Sequence, residues 1–248
     1  LLAACSHIQT GPSQSFEEWL EGVKQEALAD GISQETLDTA FESVAPDGRI
    51  LALDRKQPES TLTLEEYLEK TVTAARIKQG RERMSEHKAL LEEVSAKYQV
   101  SPQHIVALWG IETSYGKNTG SYSVIEALST LAYDGRRSAF FRGELMKALH
   151  ILEQDHIEAY DMTGSWAGAM GQCQFMPSSF LNFAVDHNGD GKRDIWGSEP
   201  DIFASIANYL HSSGWNNDKD NNFNVLLKWN RSRYFATAVM QLADNIKG

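Results

Sequence analysis

Residues 101–116 carry the strongest helix signal in the chain. Ser101 suits an N-cap position, Pro102 suits the first helical position, and Gly116 is a candidate stop signal. Between them, large apolar side chains recur at helical spacing. These residues are Ile105, Leu108 and Trp109. The pattern predicts an amphipathic helix with one buried stripe.

Glu112 places a carboxylate in this stripe. It follows Leu108 by four residues and Trp109 by three, so it is expected on the same helical face. A charge is costly to bury there. Two interpretations stay open: Glu112 pairs with a basic group, or its surroundings raise its pKa so that it can donate a proton near neutral pH. Glu112 is therefore a candidate catalytic residue.

The rest of the chain also shows helical patterns, with breaks at Gly and Pro clusters. Ser33 and Thr63 are candidate cap residues, and Thr63 has a Glu three positions later, as in a capping box. The further predicted helices are 16–29, 33–44, 63–70, 81–98, 124–131, 140–154, 202–211 and 235–246. No pair of strands with a hairpin turn is recognisable. The sequence predicts a mostly α protein.

Charge and cysteine content narrow the possible functions. The formal net charge of −11 argues against a general nucleic-acid binder, which needs a basic face. No segment is long and apolar enough to span a membrane. Cys5 and Cys173 are too few for a disulfide framework and lack zinc-ligand neighbours. Cys173 is expected to be a small buried residue.

The first residues resemble a lipobox, the end of a bacterial lipoprotein signal peptide. Leu2 to Cys5 carry this pattern, and a chance apolar start is the alternative. In the lipobox interpretation, residues 1–15 are a signal remnant and tether, and Cys5 carries a lipid anchor. The domain would then work in the periplasm, anchored to the outer membrane of a Gram-negative bacterium.

Residues 164–179 combine small residues with aromatic and amide side chains. Ser165 and Gln174 could donate hydrogen bonds to a ligand that approaches the backbone closely, although tight helix packing would also explain the run. A set of aromatic residues could line a sugar cleft or simply fill the core. These are Tyr115, Tyr122, Trp166, Phe175, Tyr209, Trp229, Tyr234 and Phe235. Arg136 and Arg137 form a local basic spot, for which surface solvation is the simpler explanation.

Residues 186–191 reproduce the first half of an EF-hand loop, with oxygen-bearing side chains at alternate positions before a glycine. Position twelve is Gly197 instead of the usual glutamate, so a closing carboxylate must come from Glu199 or Asp201. Asp201 could instead belong to a capping box with Ser198. A calcium site and an Asx-rich turn without metal both remain possible.

Taken in order, these segments resemble the lytic transglycosylase B family of bacterial murein-cleaving enzymes. The matching segments are 53–59, 75–81, 109–116, 136–137, 164–179, 186–191 and 229–232. The resemblance implies a lysozyme-like helical catalytic domain with additional N-terminal helices and an EF-hand-like metal loop. It divides the chain into an N-terminal helical region, 16–98, and a catalytic region, 99–248. Family members usually carry a longer, partly β segment where this chain has 216–228, which is either short or incomplete.

The resemblance also implies roles for individual residues. Glu112 would be the single catalytic acid and base, and catalysis would need no cofactor. The implied substrate-binding residues are Ser165, Gln174, Tyr209, Trp229, Asn230, Tyr234 and Phe235, with Arg136 and Arg137 at the peptide stem. Phe235 stands where the family has a tyrosine, so it lacks that hydroxyl. The implied ligands of a structural Ca²⁺ or Na⁺ are Asp186, Asn188, Asp190, the Lys192 carbonyl and Asp201.

The expected activity is a lyase reaction on peptidoglycan that uses no water. It would cleave the β-1,4 bond between N-acetylmuramic acid (MurNAc) and N-acetylglucosamine (GlcNAc) and leave 1,6-anhydro-MurNAc ends. Glycan strands and peptide stems would be the partners of a monomeric enzyme. A hydrolytic muramidase is one alternative and needs a second carboxylate, for which Asp155 and Asp161 are candidates. A non-catalytic peptidoglycan-binding lipoprotein is the other.

Overall fold

A computed structural model describes residues 14–56, 62–134, 136–216 and 218–247. The helices of these residues are α1 (Phe16–Ala29), α2 (Gln34–Ala40), α3 (Gly48–Arg55), α4 (Leu64–Thr71), α5 (Ala74–Glu86), α6 (Lys88–Tyr98), α7 (Pro102–Thr113), α8 (Val124–Tyr133), α9 (Ser138–Glu153), α10 (Pro177–Phe183), α11 (Glu199–Ser212), α12 (Lys219–Trp229) and α13 (Arg233–Lys247). Two short strands are β1 (Tyr122–Ser123) and β2 (Thr163–Gly164). The mostly α prediction is confirmed, and no helix of the described residues is long and apolar enough to cross a membrane.

Polar caps fix the starts of α1, α2 and α4 where the sequence predicts them, although α2 ends at Ala40 and not at Val44. The predicted bounds of α1 are confirmed, and Ser15 and Glu18 form its capping box. Thr63 and Glu66 form the same motif at α4. Assigning Ser15 to a tether was therefore wrong, because its side chain satisfies the first backbone N–H groups of a helix. Cys5 and residues 1–13 lie outside the described residues.

Several helices differ from the prediction. The single helix over 81–98 was wrong, because α5 ends at Glu86 and α6 begins at Lys88. The ring of His87, between them, makes edge contacts with Trp109 and Phe203. No glycine or proline marks the break between the two helices. The helices α3, α10 and α12 were missed; α3 and α10 have only eight and seven residues, which gives little periodicity. Segment 216–228 thus contains most of a helix.

A small antiparallel pairing joins two distant segments. Tyr122 of β1 lies opposite Gly164 of β2, and Ser123 lies opposite Thr163. Gly120 allows this approach, since a Cβ there would lie 2.0 Å from the Gly164 carbonyl oxygen. Two-residue strands are too short for an alternating pattern, so no sequence pattern predicts them.

The predicted helix over 101–116 lies at the centre of the protein. It is α7, and it packs against α5, α6, α11 and α13. Ile105 and Leu108 are fully buried, and Trp109 makes edge contacts with Phe203 and Tyr115. Because α7 is enclosed by other helices, its C-terminal end is held rigidly where the candidate acid lies.

Candidate active site

Helix α7 ends in a tight reversal just after Glu112. Thr113 is its last residue, and Ser114 and Tyr115 then adopt positive φ angles of 51° and 60°. The predicted stop at Gly116 therefore comes slightly late. The reversal folds the Tyr115 ring back onto Gly110, where a Cβ would lie 2.6 Å from that ring. The Tyr115 hydroxyl donates to the backbone carbonyl of Arg76 at 2.7 Å, which ties the end of α7 to α5.

Gln172 ties the same helix end to the segment rich in small residues. Its side-chain oxygen accepts a hydrogen bond from the Trp109 indole at 2.7 Å, and its amide donates to the Trp196 carbonyl at 2.8 Å. The Thr113 hydroxyl donates to the Gln172 carbonyl at 3.1 Å. Sequence reasoning missed Gln172, since a single glutamine in a small-residue run carries no distinctive signal.

Glu112 has a partly buried side chain with a single hydrogen bond from protein among the described residues. The Trp229 indole Nε1–H donates to Glu112 Oε1 at 2.6 Å. Burial raises the pKa of Glu112 from 4.5 to about 7, and the Trp229 hydrogen bond acts in the opposite direction. Within the part of the chain that the structure describes, Glu112 forms no ion pair. Of the two interpretations left open by the sequence, this geometry favours the proton donor.

Aromatic side chains pack around Trp229, the residue that contacts the Glu112 carboxylate. The Trp229 ring packs on Tyr209 and Phe175, with ring centroids 4.5 and 5.2 Å away. Tyr234 faces Tyr67 of α4 at 5.8 Å. Burial raises the pKa of Tyr67, and the nearby charge of Glu112 acts in the same direction. The site thus includes Tyr67 from the N-terminal region, which sequence reasoning missed because nothing in its neighbourhood marks it.

Ser165 and Gln174 hold the turn that follows β2. The Ser165 hydroxyl oxygen accepts from the backbone N–H groups of Ala167 and Ala169, at 3.3 and 3.0 Å. The Gln174 amide donates to the carbonyls of Thr119 and Gly171, both at 2.9 Å. The turn therefore uses the acceptor of Ser165 and the donor of Gln174. Ser165 therefore retains its hydroxyl hydrogen as a donor for a ligand, and Gln174 retains its amide oxygen as an acceptor.

Arg136 and Arg137 both contact Asp54, which is 1% exposed. Arg136 Nε donates to Asp54 Oδ2 and an Arg137 terminal nitrogen donates to Asp54 Oδ1, each at 2.7 Å. About half of each arginine side chain stays exposed. Simple surface solvation is therefore insufficient as an explanation, because both guanidinium groups help to bind a buried carboxylate. The role of these arginines at a peptide stem stays a prediction.

The residues that follow Trp229 differ widely in exposure. Asn230 is exposed, and its side-chain oxygen accepts from the Ser232 backbone N–H at 3.0 Å. Phe235 is only 5% exposed and belongs to the core, as does Cys173. Among the residues implied to bind substrate at this end, Asn230 is thus exposed, Trp229 and Tyr234 are partly buried, and Phe235 is buried.

The half EF-hand loop brings three carboxylates together. Ligand oxygens of Asp186, Asp190 and Asp201 lie within 4.8 Å of one another. Asp201 is fully buried, and its carboxylate accepts from the backbone N–H groups of His187, Asn188 and Asp194, at 2.8, 3.3 and 2.9 Å. Ser198 alone caps α11, so the expected capping box is incomplete. Three converging hard oxygen donors fit a calcium ion.

Comparison with known proteins agrees with this geometry. The family model of the transglycosylase SLT domain matches residues 15–221. The structure is similar to that of SltB3 from Pseudomonas aeruginosa in complex with NAG-anhNAM-pentapeptide, with a TM-score of 0.91 and 38% identity over 95% of this chain and 80% of that chain. It is also similar to SltB1 from the same organism, with a TM-score of 0.85 and 31% identity over 92% of this chain and 98% of that one.

A curated relative gives a match over part of its length. The chain is 35% identical over 150 residues to membrane-bound lytic murein transglycosylase B of Escherichia coli (strain K12). The aligned region covers 60% of this chain and 41% of that protein. Because the family model extends over most of the sequence, the chain belongs to the transglycosylase SLT domain family.

Proposed function

We propose that this protein is a lytic transglycosylase that cleaves the MurNAc–GlcNAc bond of peptidoglycan and leaves 1,6-anhydro-MurNAc ends. The single observation that carries the proposal is the partly buried Glu112, whose pKa burial raises to about 7. Such a carboxyl can hold a proton at neutral pH and still release it. SltB3, which is 38% identical, has been crystallised with NAG-anhNAM-pentapeptide, a ligand that contains an anhydro sugar.

The reaction needs only one acid because the nucleophile belongs to the substrate. Glu112 first donates its proton to the bridging oxygen, and the bond from that oxygen to the anomeric carbon of MurNAc breaks. The 6-hydroxyl oxygen of the same MurNAc then bonds to the anomeric carbon and returns its proton to the Glu112 carboxylate. No water is consumed, and Glu112 ends in its starting protonation state. An intramolecular attack of this kind gains from proximity.

The surrounding residues supply binding and orientation in this proposal. Ser165 would donate its hydroxyl hydrogen to the sugar, and Gln174 would accept through its free amide oxygen. The aromatic residues Tyr209, Trp229 and Tyr234, with the exposed amide of Asn230, would contact the glycan, and Phe235 would support them. Arg136 and Arg137 would offer their exposed donors to carboxylates of the peptide stem.

We also propose a structural calcium ion in the loop 186–201. Asp186, Asn188, Asp190, the Lys192 carbonyl and Asp201 would hold it. The convergence of three carboxylates supports this site, and calcium accepts such flexible oxygen ligands more readily than magnesium does. The ion would stabilise the loop that leads into α11, and no catalytic step depends on it.

The cellular setting and chain organisation are proposals as well. A lipid on Cys5 would anchor a monomeric enzyme in the periplasm, at the outer membrane of a Gram-negative bacterium, and the E. coli relative is named as membrane-bound. The chain would divide into a helical region, 16–98, and a catalytic region, 99–248. Tyr67 and Arg76 support a joint site, since both come from the first region and lie near the end of α7.

Mass spectrometry of products released from purified sacculi tests the function. We expect anhydromuropeptides from the wild type and none from Glu112→Gln. A matched control is Glu126→Gln, because burial also raises the pKa of Glu126 but its α8 position lies outside the site. Reducing ends would instead identify a hydrolytic muramidase, in which Asp155 or Asp161 would be the second carboxylate. Sacculus binding without any soluble product would identify the non-catalytic binding protein.

A further inference from the structure

Trp229 is held in a fixed orientation beside Glu112. It is the last residue of α12, whose N-terminus is capped by the Asp218 side chain. Its ring packs on both Tyr209 and Phe175, with centroids 4.5 and 5.2 Å away, and these two rings also pack on each other at 5.8 Å. The indole N–H then reaches Glu112 Oε1 at 2.6 Å. The ring contacts leave the indole little freedom to turn away from the carboxyl.

An indole N–H can only donate a hydrogen bond. A protonated carboxyl group has one oxygen that carries the hydrogen and one that can only accept. The carbonyl oxygen of a carboxylic acid accepts hydrogen bonds much more strongly than its hydroxyl oxygen does. Because Trp229 donates to Oε1, this hydrogen bond favours Oε1 as the carbonyl oxygen and places the acidic proton on Oε2. Among the described residues, Glu112 Oε2 has no hydrogen-bond partner from protein, and the side chain is partly exposed. Oε2 is therefore the oxygen left for the substrate.

We propose that Trp229 is a positioning residue that assigns the acidic proton of Glu112 to Oε2 and holds this oxygen for the substrate. The inference rests on the proposed transglycosylase function. Oε2 would give its proton to the bridging oxygen and later receive the proton of the 6-hydroxyl. Trp229 keeps its hydrogen bond to Oε1 throughout, so the carboxyl need not rotate between the two steps. This role is additional to the glycan contact proposed above for Trp229.

Trp229→Phe removes the N–H but keeps an aromatic ring. We expect turnover to fall about tenfold or more, with a smaller change in KM, because the carboxyl loses its fixed orientation. The indole N–H favours the carboxylate form, so the midpoint of Glu112 titration should rise by about one pH unit. Carbon-13 NMR of labelled glutamate carboxyls measures that midpoint, and the signal lost in Glu112→Gln identifies Glu112.

Trp215→Phe is the matched control. Trp215 is a buried tryptophan that packs against His104, away from Glu112, and its replacement should leave both the midpoint and the turnover unchanged. If Trp229→Phe does not fold, 3-benzothienylalanine at position 229 supplies a ring of nearly the same size with sulfur in place of the N–H. It should give the same shift as Trp229→Phe.

An unchanged midpoint and turnover in a folded variant would overturn the proposal. A purely packing role for Trp229 would lower stability or raise KM without moving the titration of Glu112. The carboxyl titration is measured without substrate, so it tests the hydrogen bond separately from the reaction. If the wild type releases no anhydromuropeptides, the proposed function fails, and a shifted midpoint would still establish that Trp229 controls the Glu112 carboxyl.

Discussion

Two carboxylates of this protein lie at opposite kinds of helix end and receive different numbers of hydrogen bonds. Glu112, near the C-terminal end of α7, accepts one hydrogen bond, from an indole. Asp201, in the first turn of α11, accepts three from backbone N–H groups. Both side chains are largely shielded from bulk water, but only Asp201 has several hydrogen-bond donors that stabilise a charged carboxylate.

This difference matches the two roles proposed above, a proton donor for Glu112 and a cation ligand for Asp201. A general acid must be stable while protonated, so it benefits from apolar surroundings and few donors. A cation ligand must present a charged oxygen in a fixed place, so it benefits from donors that hold it. Burial alone therefore does not identify the role of a carboxylate; the number and type of its hydrogen-bond donors do.

The largest expected effect is that of Glu112→Gln on activity. Release of anhydromuropeptides should fall by roughly 10³-fold, because general acid and base catalysis are both lost. The midpoint of thermal unfolding should stay equal or rise, since an amide needs no costly desolvation of a charge. Substantial residual activity would contradict the contrast between the two carboxylates, because Glu112 would then not be the catalytic acid.

Asp201→Ala should affect stability more than chemistry. Three partly buried backbone N–H groups would lose their acceptor, at a cost of about 3 kcal/mol in the free energy of unfolding. Urea unfolding measures the change, and Asp220→Ala on the exposed first turn of α12 is the control. A loss below about 1 kcal/mol would contradict the structural role of Asp201.

The raised pKa of Glu112 should make the free energy of unfolding depend on pH. Its folded-state pKa of about 7 lies above its ordinary value of 4.5, so between these values the native state binds more protons than the unfolded state. The contribution of Glu112 is therefore present below pH 4.5 and is lost as pH rises through about 7, by at most about 3 kcal/mol. Turnover should also fall as pH rises above about 7.

Urea unfolding of the wild type and Glu112→Gln at a series of pH values measures the contribution of Glu112 to the free energy of unfolding. The difference in free energy of unfolding, wild type minus variant, should become less favourable to the wild type as pH rises from 5 to 8. A difference that is flat with pH would mean that Glu112 titrates near its ordinary value, and the proton-donor assignment would lose its physical basis.

The smallest expected effect is the stabilisation of the native state by calcium binding. At a hundredfold excess over its dissociation constant, a bound ion stabilises the native state by about 2.7 kcal/mol. Calorimetry with added Ca²⁺ should show a rise in unfolding temperature, and Asp186→Ala should remove most of that rise. Magnesium is the control ion, since it fits flexible oxygen cages less well. No stabilisation by Ca²⁺ would leave the loop as an Asx-rich turn.

Local patterns in the sequence were sufficient for much of the helical fold. Thr63 and Glu66 mark the start of α4 because capping depends on neighbours three residues apart. Glu112 was recognisable because helical spacing alone shows that it shares a face with Leu108 and Trp109. The division at His87 was missed because contacts with distant residues produce it, and no local breaker marks it.

Sequence patterns were enough to predict a mostly α chain, the helix that carries Glu112 and a loop rich in carboxylates, because each depends on residues close together along the chain. The partners of these groups could be found only in the folded structure. Trp229 lies 117 residues from Glu112, and Arg136 lies 82 residues from Asp54. Side-chain spacing specifies which face of a helix is buried, but hydrogen bonds between distant residues depend on how the helices pack together.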